Sequence, residues 1–410
     1  MGGAGGMLED VTMLEVRAAT DGDLESAAEL MAEAFSYGNA AEYEEILSEV
    51  RRTAHEDPAS SLDDLRVGIL DEVVVSAVAI RPKSIHVSGS VLSLGGVAGV
   101  CTRESHRGAG YNTAVLRDAI AYIERQAHDI SLLYTGINGY YERLGWRTFD
   151  HVMHHRVAVP DGSLATPFTG SVRAVAADDL PAMRAIYNTT NVDKAGPVVR
   201  DGVYWAYYTP SPESYHVAVA DDHAVAYLRD RGAAHVEEIG YLPGREDAAC
   251  ALIADALARG RAAGVDTVEM VGVASVLPHI RALGCAVEDI PSSATMYRVT
   301  ALGPLIGKLL GRMTRRLAVS AVSRWSAVVR LQSEVGTVDL RCSGGVVTRI
   351  EGHSAPSITL VATHSQVIEL VFGQIDAASL ATADPGPDST AVLTALFPRL
   401  EYRYYGPDTF

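Results

Sequence analysis

The sequence predicts a mixed α+β chain, in which two copies of one α/β module are followed by a smaller α+β domain. Three observations carry this reading. The first is an internal repeat: Val16-Arg17-Ala18 followed by Asp23-Leu24 recurs as Val172-Arg173-Ala174 followed by Asp179-Leu180. The second is a shared order of elements downstream of each copy. The third is the alternation of short β-branched runs with helical segments in the last part of the chain. At 410 residues there is room for two or three domains, each burying its own core.

Each copy opens on an extended segment that runs into a helix cap. The predicted order is strand, helices, antiparallel strands, helix, strand, helix, strand. In the first copy the β-branched run is Val73 to Ile80, the alanine-rich helix Thr113 to Ala127 and the closing turn Leu144-Gly145. In the second these are Val217 to Leu228, Asp247 to Ala263 and Leu283-Gly284. The turn-forming string Val159-Pro160-Asp161-Gly162-Ser163 marks a linker, and a second boundary falls near Ala301 to Pro304. The expected domains are therefore 1–158, 159–300 and 301–410. Leu305 to Leu331 is amphipathic, with Lys308, Arg312, Arg315, Arg316 and Arg324 spread along it; a membrane-surface helix has this pattern, but so does the solvated face of a helix packed on its own domain, which is the reading taken. The third domain then predicts strands at Thr337 to Arg341, Val346 to Glu351 and Ser357 to Ala362, with helices from Asp376 and Thr390.

Apolar residues make up 48% of the chain, too many for disorder, so it folds. A net charge of −17 argues against a nucleic-acid partner and would draw in a cationic small molecule. Cys101, Cys250, Cys285 and Cys342 lie far apart without a CxxC pair, so neither a metal site nor a disulfide framework is expected, and reduced cytoplasmic thiols are. No run of about 20 apolar residues occurs, and the start MGGAGG leads into Glu9 and Asp10, unlike a secretion signal; no membrane partner is expected. The 13 histidines are scattered and no G-x-S-x-G elbow occurs, which removes a Ser-His-Asp hydrolase.

The chemistry concentrates in the first copy. Arg107-Gly108-Ala109-Gly110-Tyr111-Asn112 follows the apolar run Gly95 to Cys101 and precedes the helix from Thr113. Backbone N–H groups at such a turn, with the first turn of the helix and its macrodipole, form a preformed anion site that suits a pyrophosphate. The glycines allow positive φ and close approach, and Arg107 adds charge. No acidic residue stands at ribose-binding distance in a βαβ unit, and no GK[ST] follows, so a dinucleotide or P-loop reading is weaker.

This loop resembles motif A of the GNAT acyltransferases, R-x-x-G-x-G/A, which holds the pyrophosphate of coenzyme A, with Asn112 where that motif has Gly or Ala. The resemblance implies acetyl-coenzyme A as co-substrate, held by Arg107, Gly108, Gly110, Tyr111 and Asn112. It also implies that backbone groups of Val100, Cys101 and Thr102 serve the pantetheine arm. Downstream, Asn138-Gly139-Tyr140-Tyr141-Glu142-Arg143-Leu144-Gly145-Trp146 is similar to the GNAT signature of a tyrosine, three residues, then Gly-aromatic. Asn138 is grouped with the coenzyme A site. Tyr141 takes the catalytic position, where a hydroxyl can protonate the departing thiolate.

The whole layout resembles the enhanced intracellular survival family of aminoglycoside acetyltransferases: a GNAT module, a second GNAT-like module and a domain similar to the sterol carrier protein fold. That resemblance implies that the carboxylate of the terminal phenylalanine, here Phe410, acts as base, that the substrate is a primary amine of a small cationic molecule, and that the chain forms a homo-oligomer such as a hexamer. The family's substrate-side segments correspond to Phe35-Ser36-Tyr37 and Asp408-Thr409-Phe410, and Tyr37 stands where a carboxylate is expected; Glu42, Glu44, Glu45 or Asp408 are the candidates to compensate. The second copy has no arginine-led loop around Gly240-Tyr241-Leu242-Pro243-Gly244-Arg245, and His279, Ile280 and Arg281 precede its Leu283-Gly284 turn, so it reads as a scaffold without catalysis. Two alternatives stay open: an acyltransferase acting on a natural-product amine or with a longer acyl-coenzyme A, and a non-catalytic lipid carrier.

Overall fold

The computed structural model describes residues 13–208, 214–351 and 355–410; the glycine-rich start with Glu9 and Asp10 lies outside the described residues. The chain divides into two units. The first comprises Met1–Pro82, Gly95–His128 and Phe410, and the second Lys83–Leu94 and Asp129–Thr409.

In the first unit β1 (Glu15–Ala18) leads into α1 (Asp21–Phe35) and α2 (Ala40–Glu56). There follow β2 (Leu65–Leu70), β3 (Val73–Val87, to Pro82 in this unit), β4 (Ser90–Thr102, from Gly95 in this unit) and α3 (Tyr111–Arg125). β1 pairs antiparallel with β2, β2 with β3, and β3 lies beside β4. Asp71 and Glu72, at φ of 50° and 65°, form the tight β2–β3 turn, the two-residue left-handed geometry that suits the twist of a hairpin. Gly68 lets α3 approach β2: a Cβ there would meet Val115 Cγ2 at 2.9 Å. Leu24, Ala27, Ala28, Leu30 and Met31 of α1 pack with Val67, Ile69, Val74 and Ala77 of the strands to form the core.

The second unit contains β5 (Ile130–Tyr134), α4 (Asn138–Glu142), β6 (Arg147–Thr148), β7 (Val152–Ala158), β8 (Ser171–Ala174), α5 (Leu180–Asn191), β9 (Ala195–Val198) and α6 (Gly202–Tyr208). Next come β10 (Tyr215–Ala220), β11 (His223–Asp230), β12 (His235–Tyr241), α7 (Glu246–Ala262), β13 (Thr267–Met270), α8 (Leu277–Ala282), β14 (Val287–Ser292) and β15 (Thr295–Val299). The last part is α9 (Leu302–Val319), β16 (Ala327–Ser333), β17 (Gly336–Ser343), β18 (Val346–Ile350), β19 (Ile358–Ala362), α10 (His364–Val371) and α11 (Gly386–Leu396). Seven strands run in the order β14-β7-β13-β12-β11-β10-β8, with β12 and β13 parallel and the other pairs antiparallel. Four form a separate sheet, β18-β17-β16-β19.

The repeat is physical. Arg17 makes two bonds to Asp23 at 2.6 and 3.2 Å, and Thr20 N–H donates to Asp23 Oδ2 at 2.7 Å. Arg173 repeats both bonds to Asp179 at 2.6 and 2.9 Å, with Ala176 N–H donating at 2.7 Å. The aspartate thus satisfies a backbone donor at the helix start while a guanidinium fork holds its carboxylate, which keeps the Asp23 carboxyl down at about 2. The repeats also exchange strands: β7, from the end of the first, lies between β13 and β14 of the second, whereas β15, from the end of the second, pairs with β5 and β6.

Val217 to Leu228 holds the antiparallel pair β10 and β11, with Asp221 and Asp222 turning the chain at φ of 48° and 61°. Other expectations are corrected. The amphipathic stretch is helical only to Val319, and its end becomes strand β16. Its basic face is engaged: Lys308 pairs with Asp129 at 2.5 Å, and Arg316 donates to the carbonyls of Ala395 and Leu396, the open C-terminal end of α11. Burial, reinforced by Arg312 and Arg315, lowers Arg316 to about 10, so it remains charged at neutral pH. Asp376 caps a short 3₁₀ turn rather than a helix. Among the described residues no helix is long and apolar enough to cross a membrane.

His364 Nε2 accepts the Val299 N–H at 2.8 Å, tying α10 to β15, and burial, then Arg147 and Arg298, lower it to about 4. The unfolded state therefore takes up a proton near pH 6.5 that the folded state resists. Stability present above that pH should fall by roughly 3 kcal/mol between pH 6.5 and 4. Denaturant titrations across this range should show the loss and show it flattened in His364→Gln, which can still accept the bond; parallel curves for both proteins would refute the assignment.

Candidate active site

The end of β4 and the start of α3 build the glycine loop. Gly108 and Gly110 take φ of +81° and +83°, a region costly for any residue with a Cβ, and Gly110 is the N-cap of α3. No heavy atom lies within 4 Å of where a Cβ would sit on either, so glycine is required by conformation and the cradle is open. The first turn of α3 carries no acidic residue, which leaves the positive end of its dipole uncompensated there. Arg107 is exposed, with Nε against the Thr102 carbonyl at 3.3 Å. A flexible guanidinium beside an open, amide-lined cradle suits a pyrophosphate.

Asn112, the departure from the motif, has a structural reason. Its Nδ2 donates to the Cys101 carbonyl at 3.1 Å and to Ser76 Oγ at 3.2 Å, while Ser76 Oγ itself donates to the same carbonyl at 2.8 Å and lies 3.1 Å from Thr102 Oγ1. The helix start is thereby fastened to the strand end. The carbonyls of Cys101 and Thr102 are already engaged, so ligand contacts through that strand must share these acceptors or use other backbone groups. Burial pushes the Cys101 thiol up to about 12, which removes it as a nucleophile. Val100 follows Gly99, which takes a φ of +58° and where a Cβ would lie 2.8 Å from the Met31 side chain.

Phe410 belongs to this same unit. A Cβ on Gly96, in β4 ahead of the loop, would overlap the Phe410 ring, so glycine there makes the seat for the last side chain. Phe35 and Tyr37 lie at the turn between α1 and α2; Tyr37 is 89% exposed and holds φ of +48°, an unusual conformation for an aromatic residue. Glu42, Glu44 and Glu45 are exposed on α2.

Tyr141, Asn138 and Asp408 belong to the second unit. Tyr141 is buried in α4, its ring edge-on to Tyr140 at 5.1 Å and to Trp146 at 6.2 Å. Burial, then Tyr140, push its phenol up to about 12, so it holds its proton at neutral pH. Asn138 spends its amide on Thr148 Oγ1 and the Ser293 carbonyl, both at 2.8 Å, and so shapes the α4 loop. Asp408 is fully buried: Arg200 bonds both its oxygens at 3.0 and 2.9 Å, and Tyr204 donates at 2.7 Å. Its carboxylate faces inward and acts as an anchor. Sequence reasoning missed Ser76, Gly96 and Arg200, whose partners are 25 to 314 residues away and leave no local pattern.

The second copy repeats this backbone with other side chains. Trp146 N–H donates to the Tyr141 carbonyl at 3.2 Å, and Cys285 N–H donates to the Ile280 carbonyl at 3.4 Å; Gly145 and Gly284 then turn at φ of +97° and +84°. Buried Ile280 thus takes the place of Tyr141. At the head of α7, Arg245 is paired with Asp247 at 3.0 Å, and Glu246 and Asp247 occupy the first turn, which repels an anion.

Residues 15–149 match the family model described as acetyltransferase (GNAT) domain. No curated protein matches the chain. Among solved structures, a conserved Enterococcus faecalis protein is similar with a TM-score of 0.69 at 17% identity, covering 96% of this chain and all of that one. A GCN5-related N-acetyltransferase from Anabaena variabilis is similar with a TM-score of 0.67 at 14% identity, covering 97% and 100%. Eis1 from Mycobacterium abscessus gives 0.58 at 17% identity, covering 97% and 100%. At these identities the likeness is one of fold. The chain carries a GNAT acetyltransferase domain over residues 15–149, which implies acetyl-coenzyme A as donor and a small-molecule amine as acceptor, and it is an N-acyltransferase.

Proposed function

We propose that the protein transfers acetyl from acetyl-coenzyme A to a primary amine of a small cationic, aminoglycoside-like molecule, directly and in a ternary complex. The observation that carries this reading is the seat made for Phe410 on Gly96, in the strand that leads to the Arg107–Asn112 loop: a solvated tail would need no such glycine. The terminal carboxylate takes the amine proton, directly or through water, as the nitrogen attacks the thioester carbon. The tetrahedral intermediate collapses, the carbon–sulfur bond breaks, and Tyr141 gives its proton to the leaving sulfur. A phenol raised to about 12 is fully protonated where the amine is becoming free, as a general acid must be. The net charge of −17 supports a cationic acceptor, and exposed Phe35 and Tyr37 offer it aromatic surface.

The reading includes three domains, 1–158 catalytic, 159–300 a GNAT-like scaffold and 301–410 similar to a sterol carrier protein. The last is supported by the four-stranded sheet with α9, α10 and α11. A homo-oligomer in the cytoplasm completes it; four free, buried cysteines suit a reducing compartment.

Thiol release from acetyl-coenzyme A, measured across a panel of aminoglycosides, simple polyamines and natural-product amines, tests the proposal. Turnover should appear with the polycationic acceptors, whereas turnover confined to neutral natural-product amines would overturn the substrate class. Tyr141→Phe should lower kcat by roughly a hundredfold with little change in the KM for acetyl-coenzyme A. In the unaltered enzyme kcat/KM should rise as the amine deprotonates and hold to about pH 10.5; a falling limb centred near 9 would exclude this phenol as the acid.

Gly96→Ala should displace the Phe410 ring and lower kcat about tenfold or more while the circular dichroism spectrum stays as it is. Unchanged turnover in that variant would show that the seat has no part in catalysis.

A further inference from the structure

In the second module β12 and β13 pair in parallel only at His235 with Glu269 and Val236 with Met270. Beyond Val271, whose N–H still reaches the Val236 carbonyl, the two strands part: β12 runs on to Tyr241 against β11, and the other chain turns away at Gly272. The C-terminal segment enters this opening. A Cβ on Gly272 would lie 3.0 Å from the Tyr405 ring, and one on Gly406 would lie 3.0 Å from Glu237 Cβ, so both glycines are fitted to its passage. Tyr405 is fully buried, its hydroxyl donating to Asn191 Oδ1 at 3.0 Å and accepting from Arg403 at 3.1 Å.

Two residues short of the terminus the segment is locked by charge. Arg200 bonds Glu238 of β12 at 2.9 and 2.8 Å and Asp408 at 3.0 and 2.9 Å, with its guanidinium 4.2 Å from the centre of the Tyr187 ring. Tyr227 donates to Glu238 and Tyr204 to Asp408, and Lys83 donates to the Tyr204 hydroxyl at 2.9 Å. Both carboxylates are fully buried. A pair so enclosed has one low-energy arrangement, since any displacement of Asp408 strands a guanidinium charge away from water.

We propose that the second module is a clamp for the catalytic tail: the opening between β12 and β13 holds the segment through Tyr405 and Gly406, and Arg200, Glu238 and Tyr204 are positioning residues that, through Asp408, fix where the terminal carboxylate can reach. This rests on the reading of the Phe410 carboxylate as base. It accounts for a module that has lost its tyrosine and its anion loop yet keeps a fully hydrogen-bonded charge cluster in its interior.

The test uses the full chain, acetyl-coenzyme A and an accepted amine. Asp408→Asn should lower kcat tenfold or more, leave the KM for acetyl-coenzyme A within twofold, and speed hydrogen exchange of amides 401–409 while the rest of the chain exchanges as before. Tyr204→Phe, which removes one hydrogen bond and keeps the ring, should move kcat and exchange the same way by a smaller factor and serves where Asp408→Asn fails to fold. Deleting Phe410 in the Asp408→Asn background should add less than its effect alone. If deleting Phe410 from the unaltered chain leaves kcat intact, the base reading fails. If that deletion abolishes turnover while Asp408→Asn and Tyr204→Phe leave kcat and tail exchange unchanged, the clamp is wrong and the base reading stands.

Discussion

A guanidinium buried between two buried carboxylates is the constraint on which the placement of Asp408 depends. Burial alone would lower the affinity of Arg200 for its proton, and Asp408 and Glu238 more than reverse that, so the cation is kept. Removing either carboxylate from such a site leaves a charge without water or partner, which typically costs about 3–5 kcal/mol. Residues 200, 238 and 408 are thus bound into one arrangement although nothing in their local sequence joins them. Specificity of position, more than net stability, is what a buried ion cluster of this kind supplies, since apolar residues of the same volume would hold a core as well.

The first unit solves a different problem with different means. Its loop is open, with glycines at positive φ, and its fastening is set back behind it in Ser76 and Asn112. An asparagine at the motif's small-residue position looks like a defect in sequence. In the structure it supplies a donor to a carbonyl at the strand end that a glycine would leave to other partners. The rigid part and the receptive part of the loop are separate groups of atoms.

Much of this was legible because its determinants are local. Arg17 and Asp23, and again Arg173 and Asp179, are six residues apart and announce both the repeat and the helix caps. The Leu-Gly turns and the two long helices followed from periodicity and from the φ that only glycine takes easily. What stayed hidden depends on distant partners. The exchange of β7 and β15 between repeats is set by strand pairings more than 100 residues apart, and each strand alone reads as the ordinary end of its own copy. Two turns built on consecutive acidic residues, Asp71-Glu72 and Asp221-Asp222, were also missed, because charge patterning hid their tolerance of left-handed backbone. The amphipathic stretch was misjudged at its end for a similar reason: residues 327–331 are β-branched enough to pair with two strands, but also fit the apolar face of a helix.

Tyr141 and Ile280 show how two different side chains fill one backbone position. Both sit one turn before a left-handed glycine, both offer a carbonyl to the N–H five residues on, and both are buried. The backbone therefore has no preference between them. An isoleucine at such a site gains the full transfer energy of its side chain, roughly 1.5–3 kcal/mol, with no polar atom to satisfy. A tyrosine there must shield a hydroxyl that burial raises to about 12, a state with no stabilising purpose. On burial energy alone the apolar residue is the better choice at this position, and the second module has it. In the first module the Tyr141 ring is packed edge-on against Tyr140 and Trp146, contacts an isoleucine would not make, so the two modules fill one backbone position in two ways.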